Sequence, residues 1–100
     1  MVNPIDNLSP IHPGVFLREE IEALAISARK FAERIHTPHN AVTEIMNGER
    51  SITAQMAIRL AQAFSTTPQY WLNLQTIYDL KRARAEMTPE ALRIEPFVAA

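Results

Sequence analysis

The sequence predicts an all-α fold built from five helices. Apolar residues recur at spacings of three and four along nearly the whole chain, which is the period of amphipathic helices. Only two glycines occur among 100 residues, and no alternation of period two is evident before the last ten. Nearly half of the residues are hydrophobic and none is cysteine. A chain of this length can bury an adequate core without disulfide bonds.

The distribution of proline and apolar residues predicts three regions. Residues 1–11 form an N-terminal arm, residues 12–86 carry the five helices, and residues 87–100 form a C-terminal tail. In the tail, a short helix beginning after Thr88 and an edge strand limited by Pro96 both fit the pattern.

Capping residues and apolar stripes predict the first two helices. Helix one begins at Pro13 and ends near Leu24, and its predicted core-facing residues are Phe16, Leu17, Ile21 and Leu24. Helix two begins at a Ser27 cap, and its predicted buried stripe is Ala28, Phe31, Ala32 and Ile35.

Helices three and four are bounded by similar signals. Helix three begins at Thr37-Pro38 and ends at Asn47-Gly48, where glycine can adopt the left-handed conformation. Helix four runs from a Thr53 cap to Phe64. Its predicted inward residues are Met56, Ala57, Leu60, Ala61 and Phe64.

Helix five runs from Pro68, after a Thr67 cap, to about Glu86, and it carries more apolar surface than one small core requires. Its inner stripe is predicted to close the core over helices one and four. Its outer part is predicted to contact a second copy of the chain through Tyr70, Trp71, Leu74 and Tyr78. The alternative is that all four side chains lie in the core of the monomer.

Helices two and three have the lengths and the short connection of a helix-turn-helix unit, whose second helix enters the DNA major groove. The predicted inward face of helix three is formed by Ala41, Val42, Ile45 and Met46. Its outward face carries His39, Asn40, Thr43 and Glu44. These side chains can form hydrogen bonds with base edges. A merely solvated helix face would show the same pattern.

Catalysis is not predicted. His36 and His39 are three residues apart, but they straddle a helix start and no third metal ligand is evident. Two separated glycines cannot form a phosphate-binding loop. We therefore expect no enzyme, no cofactor and no metal. The lack of an apolar run of about 18 residues, or of a signal-peptide pattern, predicts a cytoplasmic protein with no membrane association.

Three separated blocks resemble the HigA-type antitoxins: "IHPGVFLREEIE" at 11–22, "NGERSITAQMAIRLAQAF" at 47–64 and "TPQYWLNLQTIYDL" at 67–80. These antitoxins belong to the Cro/C1 (XRE, lambda-repressor-like) class of helix-turn-helix repressors. The resemblance covers residues 11 to about 83. It implies a five-helix homodimer that binds double-stranded operator DNA, represses its own operon and neutralises a RelE/HigB-type mRNA-cleaving toxin.

The same resemblance implies roles for individual residues. Base reading falls on His39, Asn40 and Glu44, with Thr43 adjacent. Phosphate contacts fall on Ser27, Arg29, Thr37, Arg50 and Ser51. One departure lies in the turn, where His36 stands at a position at which relatives commonly have glycine. Histidine tolerates the left-handed conformation better than most residues, so the turn remains feasible.

The charge of the chain constrains this interpretation. The formal net charge is −1, and residues 27–53 contain four basic against three acidic residues. Few basic contacts predict modest affinity and a shallow salt dependence, so a dimer that spans two half-sites is required. Two alternatives fit the same sequence: a transcriptional regulator without a toxin partner, and a protein-binding module that has lost specific DNA binding.

Overall fold

The computed structural model describes residues 9–98, which form six helices and no strand. The helices are α1 (Pro13–Ala23), α2 (Ala28–Arg34), α3 (His39–Met46), α4 (Ala54–Phe64), α5 (Pro68–Glu86) and α6 (Pro89–Leu92). The all-α prediction is confirmed, and α1 to α5 are the five predicted helices. In the tail, α6 is the short helix that was one of two alternatives. Most of the predicted N-terminal arm lies outside the described residues.

Local side-chain caps explain where most helices begin. Ser27, Thr53 and Thr67 each accept a hydrogen bond from the amide three residues later, as predicted. The start of α3 differs from the prediction. The helix begins at His39, and Pro38 is a cap residue whose side chain makes no capping hydrogen bond.

A single apolar core lies between the helices. The α4 helix packs along α5, α2 packs against α3, and α1 packs against both α3 and α5. An aromatic row crosses this core: the rings of Phe31 and Phe64 stack with centroids 5.3 Å apart, and Trp71 lies 5.8 Å beyond Phe64. The predicted core residues Leu17, Ile21 and those of α2, α3 and α4 are buried or packed against this core.

Two predicted side-chain positions are wrong. Leu24 was expected to be buried but is 46% exposed. It follows the last residue of α1, and Ala25 then takes the left-handed conformation (φ 57°), so the chain turns away before the stripe continues. Trp71 was expected on the outer face of α5 but is 1% exposed. Its indole N–H donates to Thr66 Oγ1 at 2.9 Å, which removes the cost of burying this polar group.

Candidate nucleic-acid interface

The turn between α2 and α3 is built as the sequence suggested. His36 has φ 59°, the left-handed conformation expected where relatives place glycine. Two backbone hydrogen bonds close the turn, from the amide of His36 to the Glu33 carbonyl and from the amide of Thr37 to the Ala32 carbonyl. The turn therefore fixes the direction in which α3 leaves α2.

The outward face of α3 contains all four predicted base-reading residues, but they differ in accessibility. Asn40 is exposed, and its side-chain amide makes no hydrogen bond within residues 9–98. The hydroxyl of Thr43 donates to the backbone carbonyl of Asn40 at 3.2 Å, which leaves its methyl group and an oxygen lone pair for a ligand. His39 is half-buried, and its Nδ1 atom is buried without a hydrogen-bond partner. Asn40 is thus the most available of these polar groups.

A cleft of about 330 Å³ lies where α3 begins. It brings together three predicted contact residues, Thr37, Asn40 and Arg50. Two more polar residues that the sequence analysis missed, Gln55 and Arg59, line the same cleft. No acidic side chain contributes to its lining within the described part of the chain. The two arginines of the lining, Arg50 and Arg59, favour a negatively charged ligand such as a phosphate.

Glu44 lies outside this cleft but contacts one of its residues. An Arg50 Nη2 atom lies 2.9 Å from Glu44 Oε2, and both side chains are partly exposed. The sequence predicted Glu44 as a base reader and Arg50 as a phosphate contact, with no interaction between them. The structure shows that each neutralises the other in the free protein. Because the pair is partly exposed, water weakens it and either group can exchange it for a ligand.

The remaining predicted phosphate contacts lie at helix ends and in a loop. The Ser27 hydroxyl accepts the amide hydrogen of Lys30 at 3.1 Å at the start of α2, and Arg29 is exposed in the first turn of that helix. Ser51 lies in the loop 47–53 between α3 and α4, and its hydroxyl accepts a hydrogen bond from Gln75 at 3.4 Å.

Two contacts that hold α1 against α3 were not predicted from the sequence. Arg18 in α1 donates to Asn47 Oδ1 at 2.9 Å and to the Met46 carbonyl at 3.3 Å, which caps the end of α3. Gly14 allows α1 to approach α3 closely, because a Cβ there would overlap the carbonyl of Ile45. The partners are about 30 positions apart, so no local sequence pattern could have indicated them.

The apolar residues on the outer surface of α5 differ from the predicted dimer-interface residues. Tyr70 is exposed and packs edge-on against Trp71, while Leu74 is half-buried against the core. Tyr78 is half-buried, with its ring centroid 4.9 Å from that of His12. Two residues not in the predicted set, Ile77 and Leu80, are exposed on the same helix.

Other kinds of site receive no support from the described residues. No three histidine or acidic side chains among residues 9–98 are placed to hold a metal ion. None of the helices in this range has the length and hydrophobicity needed to cross a membrane.

A closed turn between two short helices and a polar outward face on the second helix are the features of a helix-turn-helix protein. Comparison with known proteins agrees, since the family model described as "Helix-turn-helix" matches residues 17–71. Virulence-associated protein I of Dichelobacter nodosus is 40% identical over 82 residues, which cover 81% of this chain and 76% of that protein.

Solved structures give the same result. An addiction module antidote protein of the HigA family from Coxiella burnetii is 48% identical, with a TM-score of 0.74 over 82% of this chain and 99% of that one. Antitoxin HigA of Pseudomonas aeruginosa, solved with the higBA promoter, is 38% identical, with a TM-score of 0.82 over 89% and 99% of the two chains. The chain belongs to the helix-turn-helix family, in the group of HigA antitoxins and their relatives.

Proposed function

We propose that this protein is a cytoplasmic antitoxin that binds operator DNA as a homodimer, represses its own operon and neutralises a RelE/HigB-type mRNA-cleaving toxin. The observation that carries the DNA-binding part is the cleft at the start of α3, which is lined by Asn40 together with two arginines, Arg50 and Arg59. The solved complex of a 38% identical relative with its promoter supports the same assignment.

In this proposal α3 lies in the major groove and the cleft faces the phosphate backbone. Asn40 can pair with adenine through two hydrogen bonds, and Thr43 can contact a thymine methyl group. His39 and Glu44 complete the base-reading face. Ser27, Arg29, Thr37, Arg50 and Ser51 hold the phosphates and so fix the register of the protein on the duplex.

The homodimer is proposed to form through α5. Tyr70, Ile77 and Leu80 are exposed on this helix, with Leu74 and Tyr78 half-buried beside them. Trp71 is left out of the proposed interface because it is buried in the core. An exposed apolar stripe that includes an aromatic residue is typical of a contact between identical subunits.

Toxin neutralisation is proposed from the relatives, which include an antitoxin and an addiction module antidote protein. The chain offers one surface with suitable chemistry. Glu19, Glu20 and Glu22 are all exposed on α1, where they could contact a basic partner. Protection of mRNA from a RelE/HigB-type toxin in a translation reaction tests this part of the proposal.

A second candidate function is protein binding without DNA recognition. The formal net charge of −1 favours it, as does the Glu44–Arg50 pair, which occupies one of the few cations near α3. DNA binding that depends on α3 distinguishes the two candidates.

Fluorescence anisotropy with DNA from upstream of the protein's own gene provides the test. We expect tighter binding to this DNA than to unrelated DNA, and Asn40→Ala to weaken the specific complex by about 1–3 kcal/mol per half-site, or roughly five- to 150-fold each. The matched control is Gln62→Ala, which removes an exposed side-chain amide from α4, outside the predicted DNA contacts and the proposed α5 interface. Equal, weak binding of the wild type to both DNAs would overturn the autoregulator and favour the protein-binding module.

A further inference from the structure

Gln75 is a polar side chain buried in the apolar core. It lies near the middle of α5 and is only 6% exposed. No other polar or charged residue within residues 9–98 is buried to this extent. A buried amide destabilises the fold unless its donors and acceptor are paired, so its partners indicate why this position is polar.

The partners of Gln75 lie in the loop 47–53. Its Oε1 atom accepts the backbone N–H of Ile52 at 2.8 Å, and its Nε2 atom lies 3.4 Å from Ser51 Oγ, to which it donates. Nε2 also donates to Asp79 Oδ1 at 2.9 Å, one helical turn further along α5. The Asp79 carboxylate accepts hydrogen bonds, so it fixes the position of Nε2 and leaves Oε1 to face the Ile52 N–H.

The loop held by Gln75 carries the candidate phosphate contacts. Arg50 and Ser51 immediately precede Ile52, and Thr53 then caps α4. Ile52 is itself buried, so its backbone cannot obtain a replacement hydrogen bond from water without the loop moving outward. One side chain of α5 therefore holds the backbone next to the residue that reaches the cleft, Arg50.

We propose that Gln75 is a positioning residue for DNA binding, which fixes the loop 47–53 against α5 so that Arg50 and Ser51 contact phosphates. The inference rests on the proposed DNA-binding function and extends it to a residue outside the helix-turn-helix unit. Because α5 also carries the proposed dimer stripe, the same helix sets both the spacing of the subunits and the position of their phosphate contacts.

The test compares Gln75→Met with Thr66→Val. Methionine fills a similar volume but cannot accept the Ile52 amide hydrogen. Thr66→Val removes a hydrogen bond to buried Trp71, near the start of the same helix and away from the loop. Both variants lose hydrogen bonds that involve α5, but only Gln75→Met releases the loop. Amide hydrogen exchange of Ile52 measures this release directly and without DNA.

In Gln75→Met we expect faster exchange at Ile52 and weaker binding to both the upstream and the unrelated DNA by a similar factor of about ten. The slope of log K against log salt should fall in magnitude by about 2 for a dimer that loses one phosphate contact per subunit. In Thr66→Val we expect a lower melting temperature with unchanged affinity and salt slope.

Three outcomes would overturn the inference. Wild-type affinity and slope in a folded Gln75→Met protein would overturn it alone and leave the proposed function intact. An equal loss in Thr66→Val would reduce the effect to general destabilisation. Failure of the wild type to prefer its upstream DNA would overturn the proposed function, and the role of Gln75 with it.

Discussion

At the residue scale, His12 links the start of α1 to its surroundings through an uncharged imidazole. Its Nδ1 atom accepts the amide hydrogen of Gly14 at 2.8 Å, which requires this nitrogen to be unprotonated. Burial lowers the pKa of His12 below its ordinary value of 6.5. A backbone hydrogen bond with Arg50 and the charge of Asp79 oppose this shift, while the charge of Arg82 adds to it. The native state therefore favours neutral His12.

This environment predicts a pH dependence of stability. Above a pH of about 6.5 His12 is neutral in both the folded and unfolded states, so its full contribution is present. Below that pH the unfolded chain takes up the proton first, and the contribution is lost as the pH falls through the lower pKa of the folded state.

We expect wild-type protein to lose more unfolding free energy between about pH 7 and pH 5 than His12→Asn, since asparagine can cap the helix but does not titrate in this range. Urea unfolding at one protein concentration measures both values. Carboxylates and the other two histidines are present in both proteins and act as the internal control. Parallel stability–pH curves would contradict this role of His12.

Single-residue predictions from the sequence succeeded where the partner was local. Ser27, Thr53 and Thr67 cap helices through an amide three residues away, so a short pattern contains both groups. The hydrogen bonds of Gln75 to Ile52 and Arg18 to Asn47 span 23 and 29 positions. Tertiary packing brings these partners together, and no periodicity in the sequence records it.

At the scale of the element, α5 shows that a helix can be predicted more accurately than its rotation. Its bounds, Pro68–Glu86, are those expected from the Thr67-Pro68 start and the apolar pattern. Its apolar residues occupy more than one face, however, so several rotations would bury a comparable area. The Thr66–Trp71 hydrogen bond and the row of aromatic rings favour the rotation that buries Trp71.

The α3 helix was predicted better because its two faces differ in chemistry. Ala41, Val42 and Ile45 are buried as expected, which leaves the polar residues outward. The Glu44–Arg50 pair could not be predicted, since it depends on how the loop after α3 folds back. The α3 residues of the candidate site were therefore predictable from the sequence, but Gln55, Arg59 and the contacts within the site were not.

The exposed stripe of α5 predicts the effect of a single charge on association. Ile77 in α5 is 54% exposed and Ile58 in α4 is 51% exposed. If α5 forms the dimer, Ile77→Lys places a charge in a desolvated contact and should convert the dimer to monomers, while Ile58→Lys should remain a dimer. Sedimentation equilibrium gives the mass of each variant, and circular dichroism checks that the helices persist.

The matched pair distinguishes two interfaces. Monomeric Ile58→Lys beside dimeric Ile77→Lys would move the interface to α4. Two dimeric variants would remove support for an interface centred on Ile77 and restrict α5 to its role in the core.

At the scale of the whole molecule, the weak charge makes the proposed DNA binding depend on the proposed dimer. Each chain has a formal net charge of −1, and Glu44 occupies Arg50 in the free protein. Each subunit therefore neutralises few phosphates, and counterion release gives it little affinity. Two subunits on half-sites about one helical turn apart double the number of phosphate contacts, and the second contact forms at a high effective concentration.

The salt dependence of the affinity should therefore differ between DNA with one half-site and DNA with two. On DNA with both half-sites, the slope of log K against log salt should be about twice the slope on DNA with a single half-site, because twice as many phosphates are neutralised. Anisotropy titrations between about 50 and 200 mM salt measure both slopes. The Ile77→Lys monomer is the control, since it should give the smaller slope on both DNAs at concentrations where each half-site binds independently. Equal slopes for the wild type would mean that one subunit makes all the phosphate contacts, and dimerisation through α5 would then add nothing to DNA binding.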